Sequence, residues 1–161
     1  MATGLKLSNV LCASDIMTKK LVKLSPEQDV FHAIDLLVKN KISGAPVVDE
    51  NNMLVGVFTE KCCLEVLVDT AYESLPTNEV GAFMIQAPLA IEENMQLLSI
   101  AQLFISQPVR RLPVVRDGKL LGQISRRDAM KHMSELNKPI RVKGSATLYL
   151  SALDLRRSPA V

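Results

Sequence analysis

Gly44-Ala45-Pro46-Val47-Val48 and Arg111-Leu112-Pro113-Val114-Val115 are two copies of one short segment. Equivalent residues of the two copies differ in number by a fixed offset, that from Gly44 to Arg111, which we call the repeat spacing. Both copies end in a pair of valines, a residue type that favours β-strands, and both have proline at the third position. Because proline cannot donate a hydrogen bond to a neighbouring strand, we expect each proline at a strand start or facing a sheet edge. A segment that recurs in this way indicates a duplicated structural unit.

The repeat spacing also relates two apolar patterns that lie upstream of these segments. The apolar positions of the first pattern and their equivalents in the second are Val30, Ala33, Ile34, Leu37 and Val38, then Leu97, Ile100, Ala101, Phe104 and Ile105. This i, i+3, i+4, i+7, i+8 pattern predicts two helices, each with one buried apolar stripe. Ile16-Met17 corresponds to Phe83-Met84 in the same way, and Gly56 corresponds to Gly122 at one position less than the repeat spacing.

Both copies predict the same order of elements. Short strands are expected at residues 22–24 and 89–91. In the first copy, Ser25 is the predicted cap of a helix that has Pro26 in its first turn and Gln28 in a capping box. Hairpins follow at 45–48 with 54–58 and at 112–115 with 120–124, and then helices at about 60–71 and 126–134. One such unit has too few elements to bury its own apolar faces. The predicted fold is therefore α+β, with two tandem β-α-β-β-α repeats packed sheet to sheet in pseudo-twofold symmetry.

The repeats divide the chain into four regions. We expect a first repeat at residues 10–72, a linker at 73–79, a second repeat at 80–135 and a partly ordered C-terminal extension at 136–161. Within the extension, residues 141–142 and 148–150 are candidates for one further strand, and residues 156–159 are expected to form a frayed tail.

Composition excludes several classes of protein. The chain has 161 residues, 48% of them hydrophobic, and its 19 Lys and Arg nearly balance its 17 Asp and Glu, which is untypical of a disordered chain. The longest uncharged stretch, residues 94–109, is too short and too polar to cross a bilayer, and the first residues lack the apolar run of a signal peptide. Three cysteines do not make a disulfide framework and favour a reducing compartment. We expect a soluble, cytoplasmic protein.

Charge is distributed unevenly along the chain. Residues 1–109 contain 7 Lys and Arg against 13 Asp and Glu, a charge of −6, whereas residues 110–161 contain 12 against 4, a charge of +8. A basic second half attracts phosphate groups, either on a nucleic acid or on a small nucleotide. The alternative is a solvated face that helps the two halves attract each other.

The motifs, their order and their duplication resemble the cystathionine-β-synthase (CBS) domain pair. The segments that carry the resemblance are Asp15-Ile16-Met17-Thr18, Ile42-Ser43-Gly44-Ala45-Pro46-Val47-Val48 and Leu54-Val55-Gly56-Val57-Phe58-Thr59, with their second copies. It covers about residues 10–135. The resemblance implies an adenosine-containing ligand in clefts between the repeats, and regulation of an attached or partner enzyme, channel or transporter. With no catalytic or membrane domain attached, it implies a stand-alone regulatory module.

The resemblance also implies the ligand-binding residues. The nucleotide signature of the family is Ser or Thr at the end of the last strand with Asp three residues later, which Ser125 and Asp128 match. A hydroxyl at a helix start meets a phosphate beside free N–H groups, and a carboxylate one turn later accepts hydrogen bonds from both ribose hydroxyls. The first repeat has Thr59 but Cys62 in place of the Asp. Since a thiol is a poor acceptor, we expect one occupied site, beside Asp128.

A second match adds basic residues to this site. In the regulatory gamma subunit of AMP-activated protein kinase, basic residues just before the Leu-Pro-Val strand contact phosphates, and Arg110 and Arg111 precede Pro113 in the same way. Guanidinium groups suit phosphate oxygens. The predicted ligand-binding residues are therefore Arg110, Arg111, Pro113, Ser125, Arg126 and Asp128. The alternative is that the arginines belong to a solvated turn.

Several functions remain open from the sequence. The first is a regulator that binds AMP, ADP, ATP, S-adenosylmethionine or NAD and signals to an unidentified partner protein. The second is a ligand-free dimerisation scaffold with decayed sites. Binding of DNA or RNA has no supporting motif, and no catalytic triad, metal cluster or phosphate-binding glycine loop indicates an enzyme. A homodimer is expected through helix faces that contain Leu64, Val66, Leu67, Ala129, Met130 and Met133.

Overall fold

A computed structural model of the chain describes residues 10–75 and 77–136. In chain order these residues form α1 (Ala13–Ile16), α2 (Val30–Asn40), β1 (Gly44–Val48), β2 (Leu54–Thr59), α3 (Glu60–Tyr72), a 3-10 turn (Val80–Ala82), β3 (Ile85–Gln86), β4 (Ile91–Glu92), α4 (Leu97–Ser106), β5 (Arg111–Arg116), β6 (Lys119–Ser125) and α5 (Arg126–Leu136). Within these ranges no helix has the length and apolar character that a membrane span needs. The strand and tail predicted beyond Leu136 lie outside the described residues.

The two predicted hairpins are present, and their turns explain why they form. The carboxylate of Asp49 accepts hydrogen bonds from the backbone N–H groups of Asn51 and Met53, both at 2.9 Å, which closes the turn between β1 and β2. Between β5 and β6, Asp117 and Gly118 have φ of 50° and 76°. Positive φ at both central residues is the geometry that a two-residue hairpin turn requires. The local turn chemistry therefore suffices to predict both hairpins.

Each hairpin is extended to three strands by a segment from elsewhere in the chain. The sheet orders are β1-β2-β3 and β4-β5-β6, with β3 antiparallel to β2 and β4 parallel to β5. The predicted strand at 22–24 is reduced to one bridge between Leu24 and Val47, and the one at 89–91 is replaced by β4, which begins at Ile91.

The two repeats exchange the segments that precede their first helices. Ala13 and Ile16 of α1 are buried in the core of the second repeat, whereas Val80 is buried in the core of the first. Thr18 then joins the edge of β6, because its backbone N–H donates to Gln123 at 2.9 Å and its carbonyl accepts from Gln123 at 3.0 Å. Neither core is complete without residues from the other repeat.

Main-chain hydrogen bonds also join the tips of the two hairpins. The N–H of Leu54 donates to the carbonyl of Gly118, and the N–H of Leu120 donates to the carbonyl of Asn52, each at 3.0 Å. The two bonds are equivalent to each other under the approximate twofold symmetry that also relates the exchanged segments. The predicted α+β fold of two paired repeats is confirmed.

Gly56 and Gly122, which the repeat relates, lack room for a side chain for the same structural reason. A Cβ at Gly122 would lie 2.7 Å from the Sδ of Met17, and a Cβ at Gly56 would lie 2.4 Å from the Sδ of Met84. Each methionine belongs to the exchanged segment of the opposite repeat. The duplicated Met and Gly positions therefore mark where each exchanged segment crosses the other sheet.

The predicted start of the first long helix is wrong. α2 begins at Val30, and Asp29 caps it by accepting a hydrogen bond from the N–H of His32 at 2.9 Å. The chain before it is held by the exchanged segment of the second repeat, since Pro26 accepts a hydrogen bond from Gly81 at 2.8 Å and Val30 donates one to Asn78 at 2.7 Å. Ser25 and Gln28 form a turn instead.

Burial along the helices differs from the prediction at equivalent positions. Val38 and Ile105, expected in the buried stripes, are exposed at the ends of α2 and α4. Conversely, Val66 and Ala129, expected on a free dimerisation face, are buried in the two cores. The last position of each five-residue stripe therefore points to solvent.

The two repeated prolines occupy equivalent places, each as the third residue of its strand, β1 or β5, rather than at a strand start. On the outer side of each strand a parallel segment pairs beyond the proline, Leu24 with Val47 and Ile91 with Val114. Because β4 pairs only with Val114 and Val115, no ladder bond falls on the nitrogen of Pro113, which faces an unpaired position at that side of the strand.

Candidate functional site

Two cavities lie between the repeats. The smaller has a volume of about 220 Å³ and is lined by Thr18, Lys20, Leu21, Val22, Asn40, Ile42, Gly44, Pro46, Arg111, Gln123 and Asp128. The larger has a volume of about 540 Å³ and is lined by Ser43, Gly44, Val57, Thr59, Glu60, Lys61, Leu64, Ile85, Pro88, Leu89, Pro108, Val109, Arg110, Arg111, Pro113 and Gln123. Gly44, Arg111 and Gln123 line both, so the cavities share a wall.

The two cavities are the same site in two copies. The repeat spacing converts lining residues of the smaller cavity, Thr18, Leu21, Val22, Ile42 and Pro46, into lining residues of the larger one, Ile85, Pro88, Leu89, Val109 and Pro113. At one position less, as for the two glycines, Val57 corresponds to Gln123. Each cavity therefore combines the beginning of one repeat with the end of the other.

This exchange separates residues that the sequence grouped into one site. Asp128 lines the smaller cavity, whereas Arg110 and Pro113 line the larger one beside Thr59. Arg111 lines both, and Ser125 and Arg126 line neither. At the repeat spacing, the equivalents of Arg110 and Arg111 are Ser43, which lines the larger cavity, and Gly44, which lines both. Asp128 and Arg110 thus line different cavities, whereas Arg111 lines both.

Asp128 is held by a capping box at the start of α5. Its Oδ2 accepts hydrogen bonds from the backbone N–H of Ser125 at 2.8 Å and from the Ser125 hydroxyl at 2.6 Å. The Ser125 hydroxyl in turn accepts from the N–H of Asp128 at 3.2 Å. Reciprocal bonds of this kind fix both side chains at a helix start. The carboxylate is half-buried at the cavity wall, where hydroxyl groups of a ligand can donate to it.

The equivalent corner of the larger cavity has a thiol in place of the carboxylate. Thr59 caps α3, and its Oγ1 lies 3.3 Å from the Sγ of Cys62 and accepts from the N–H of Cys62 at 3.4 Å. Cys62 is buried and does not line the cavity. At this position the larger cavity therefore lacks the carboxylate that Asp128 supplies to the smaller one, and its lining acid is Glu60 instead.

The two arginines before β5 have different surroundings. Arg110 is exposed, and its Nη1 lies 3.6 Å from the Oε2 of Glu60 at the mouth of the larger cavity. Arg111 is half-buried, and its Nε donates to the hydroxyl of Ser43 at 3.3 Å. Arg111 also pairs with Ser125 across the β5–β6 ladder. It is therefore the cation that the fold places at the wall between the cavities.

Arg126 holds the segment that carries these arginines. Its Nε donates to the carbonyl of Val109 at 2.8 Å and its Nη2 donates to that of Gln107 at 3.4 Å. Its own backbone N–H donates to the carbonyl of Arg110 at 3.2 Å. The side chain thus binds carbonyl groups after the end of α4 and lies outside both cavities, so it supports the position of Arg110.

The sequence missed the lining residues contributed by the exchanged segment. Thr18, Lys20, Leu21 and Val22 precede the first helix, and they reach Asp128 only because this segment pairs with β6. Gln123 was also missed, although its alternation with Ser125 along β6 places both on one face. The signal that the sequence offered was the repeat itself, because it places the polar Gln123 at the position equivalent to the apolar Val57.

The cysteines in the described residues are free thiols. Burial, with a smaller contribution from Cys62, raises the pKa of the Cys63 thiol to about 11. A thiol with so high a pKa is almost wholly protonated near neutral pH and is a weak nucleophile. Cys63 therefore contributes to the first core rather than to a reactive site.

Comparison with known proteins identifies the repeats. The family model described as "CBS domain" matches residues 13–69 and again residues 80–135. The chain is 32% identical over 159 residues to CBSX1 of Arabidopsis thaliana, a CBS domain-containing protein named as chloroplastic, with 81% of this chain and 67% of that protein covered. It is 29% identical over 118 residues to MJ1225 of Methanocaldococcus jannaschii, of which it covers only 41%.

A solved structure agrees with the sequence relatives. The crystal structure of Arabidopsis thaliana CBSX2 in complex with AMP superposes with a TM-score of 0.68 at 32% identity, covering 79% of this chain and 98% of that one. The duplicated match, the paired sheets and the two equivalent cavities lead to one conclusion. The chain belongs to the CBS domain family.

Proposed function

We propose that the chain is a regulatory module that binds an adenosine-containing nucleotide in the smaller cavity and signals its occupancy to a partner protein. The observation that carries this proposal is the half-buried carboxylate of Asp128, fixed by Ser125 at the cavity wall. Two hydroxyl groups of a ribose are suitable donors to it. The AMP complex of CBSX2, a relative at 32% identity, supports the ligand class.

The remaining lining of the smaller cavity suits the other parts of a nucleotide. Leu21, Val22 and Ile42 offer apolar surface to a base. Lys20 and Arg111 supply positive charge for a phosphate. AMP, ADP, ATP and S-adenosylmethionine all share the adenosine that this arrangement recognises, and the number of phosphates distinguishes among them.

Signalling follows from the way that the cavity is built. Its walls come from the exchanged segment, from the first hairpin and from the start of α5, so a bound ligand contacts both repeats. A ligand that binds one relative position of the repeats more tightly than another shifts the population toward it. A partner that contacts the outer helices then experiences a changed surface. The module itself is proposed to be non-catalytic and to act in the cytoplasm, where free thiols stay reduced.

A second candidate function is a dimerisation scaffold with a decayed site. Leu64, Leu67, Val68 and Tyr72 are exposed on α3, which gives the molecule an apolar helix face. The smaller cavity, at about 220 Å³, is also below the roughly 300–1,000 Å³ that is typical of ligand pockets. A homodimer through α3 and the exposed Met130 of α5 is proposed under either function.

Thermal unfolding distinguishes the two candidates. At 100 times its dissociation constant a ligand stabilises the folded chain by about 2.7 kcal/mol, which for a chain of this size raises Tm by roughly 5–10 °C. We expect such a shift with at least one of AMP, ADP, ATP and S-adenosylmethionine, and none with GMP. A flat panel for a protein that light scattering shows to be dimeric supports the scaffold.

The phosphate contact is tested by a matched pair of arginine variants. We expect Arg111→Gln to weaken AMP about tenfold, because a hydrogen bond to a charged group is worth about 1.5–3 kcal/mol, and to leave adenosine binding unchanged. Arg110→Gln, which changes an exposed arginine of the other cavity, is the control and leaves both affinities unchanged. Equal losses of AMP and adenosine in Arg111→Gln would show that this side chain supports Ser43 and the fold instead.

A further inference from the structure

Gln123 is a buried polar side chain that faces the cavities. It is only 8% exposed, and it lines both the smaller and the larger cavity. Its hydrogen bonds in the described structure are made by its backbone, which exchanges both N–H and C=O bonds with Thr18. The carboxamide thus lies at the cavity wall, with its donor and acceptor unused by the described residues.

Nothing in the fold requires an amide at this position. Gly122 and Ile124, on either side along β6, are buried, and the equivalent residue of the first repeat is Val57. Among the described residues no side-chain nitrogen or oxygen is both buried and without a partner, so the carboxamide atoms of Gln123, which make no hydrogen bond, are open to the cavities. A polar group placed at a cavity wall in this way can fix the orientation of a ligand, which valine at the equivalent place in the other sheet cannot do.

We propose that the carboxamide of Gln123 is a specificity-determining group that reads the edge of the adenine base; this inference rests on the function proposed above. Along an antiparallel strand, residues two apart on one face are about 7 Å apart. Gln123 therefore lies that distance from Ser125, away from Asp128 and the ribose. A carboxamide has a donor and an acceptor side by side, and adenine offers an amino group beside a ring nitrogen that matches both.

The test measures binding by calorimetry to the wild-type protein and to two variants. The compared pair of ligands is AMP and purine riboside 5′-monophosphate, which has hydrogen in place of the adenine amino group, and adenosine is measured beside them. We expect the wild-type protein to prefer AMP about tenfold, the effect of one hydrogen bond, and Gln123→Val to bind both ligands equally and AMP about tenfold more weakly. The control is Gln86→Val, the same change at an exposed strand position outside both cavities, which keeps the wild-type preference.

Each alternative outcome has a distinct meaning. Because Val57 occupies the equivalent position, Gln123→Val is expected to fold with an unchanged or higher Tm. A lower Tm with equal loss of both ligands would mean that the amide is structural, and this result overturns the inference. A loss for AMP that adenosine does not share would place the amide at the phosphate and overturn it as well. A wild-type protein that binds none of these ligands overturns the proposed function too, whereas normal AMP binding and preference in Gln123→Val overturns the inference alone.

Discussion

Replacement of Asp128 by alanine is expected to lower the affinity for AMP at least about tenfold and the affinity for adenosine by the same factor. Both ligands contain the ribose, and each of the two hydrogen bonds that its hydroxyl groups donate to the carboxylate is worth roughly 1.5–3 kcal/mol. Calorimetry with both ligands measures the two losses. A loss restricted to AMP would place the carboxylate near the phosphate and contradict the ribose assignment.

Cys62→Ala is the matched control for this experiment. Cys62 occupies the equivalent position at the start of α3 and does not line the larger cavity, so its truncation is expected to leave AMP affinity and the stoichiometry of one ligand per chain unchanged. Asp128→Ala also removes the capping box with Ser125, at a cost of about 1 kcal/mol of stability. Tm is therefore measured for both variants, and binding is compared well below either transition. Two equivalent sites per wild-type chain would disprove the asymmetry.

The asymmetry between the cavities is a consequence of how the duplicated unit has diverged. The smaller cavity has Asp128 and shares Arg111, whereas Arg110 lines only the larger cavity. The larger cavity has the arginines but has Cys62 in place of the acid, and one of its arginines is paired with Glu60. Because Arg111 lines both cavities, we expect a phosphate bound in one cavity to affect the other through this side chain.

Most of the local structure could be predicted from the sequence because its causes are local. The hairpins follow from turn residues such as Asp117-Gly118, and α4 follows from apolar spacing. The start of α2 could not be predicted, since Pro26 and Val30 are held by hydrogen bonds from Gly81 and to Asn78, which belong to a distant part of the chain. Contacts of that range leave no periodic pattern in the sequence.

The candidate site was predictable only in part for the same reason. The repeat identified Ser125 and Asp128 as one corner and Arg110 and Arg111 as another. It could not indicate which of these residues line the same cavity. The repeat spacing identifies equivalent positions in the two copies, but it does not tell which part of one copy contacts which part of the other. The exchange of segments decides this, and its trace in the sequence is the pairing of Met17 with Gly122 and of Met84 with Gly56.

Substitution of Gly122 by alanine is expected to destabilise the fold by about 1–3 kcal/mol, the usual cost of overpacking a core. A Cβ there would lie 2.7 Å from the Sδ of Met17 and 2.9 Å from the backbone oxygen of Thr18. The methionine can move, but the backbone oxygen accepts the hydrogen bond from Gln123 at 3.0 Å, so the exchanged segment must shift away from β6. Differential scanning calorimetry measures the loss.

Gly56→Ala is the counterpart that separates stability from binding. Its Cβ would lie 2.4 Å from the Sδ of Met84 and 3.0 Å from the backbone oxygen of Ile85, so we expect a similar loss of Tm. The segment that it displaces leads into the larger cavity, whereas Gly122→Ala displaces the segment that carries Thr18 and Lys20 into the smaller one. Only Gly122→Ala is therefore expected to weaken AMP, with Lys119→Ala as a control for an exposed change on β6. If both glycine variants lose AMP equally, the ligand depends on the fold as a whole rather than on the cavity beside Asp128.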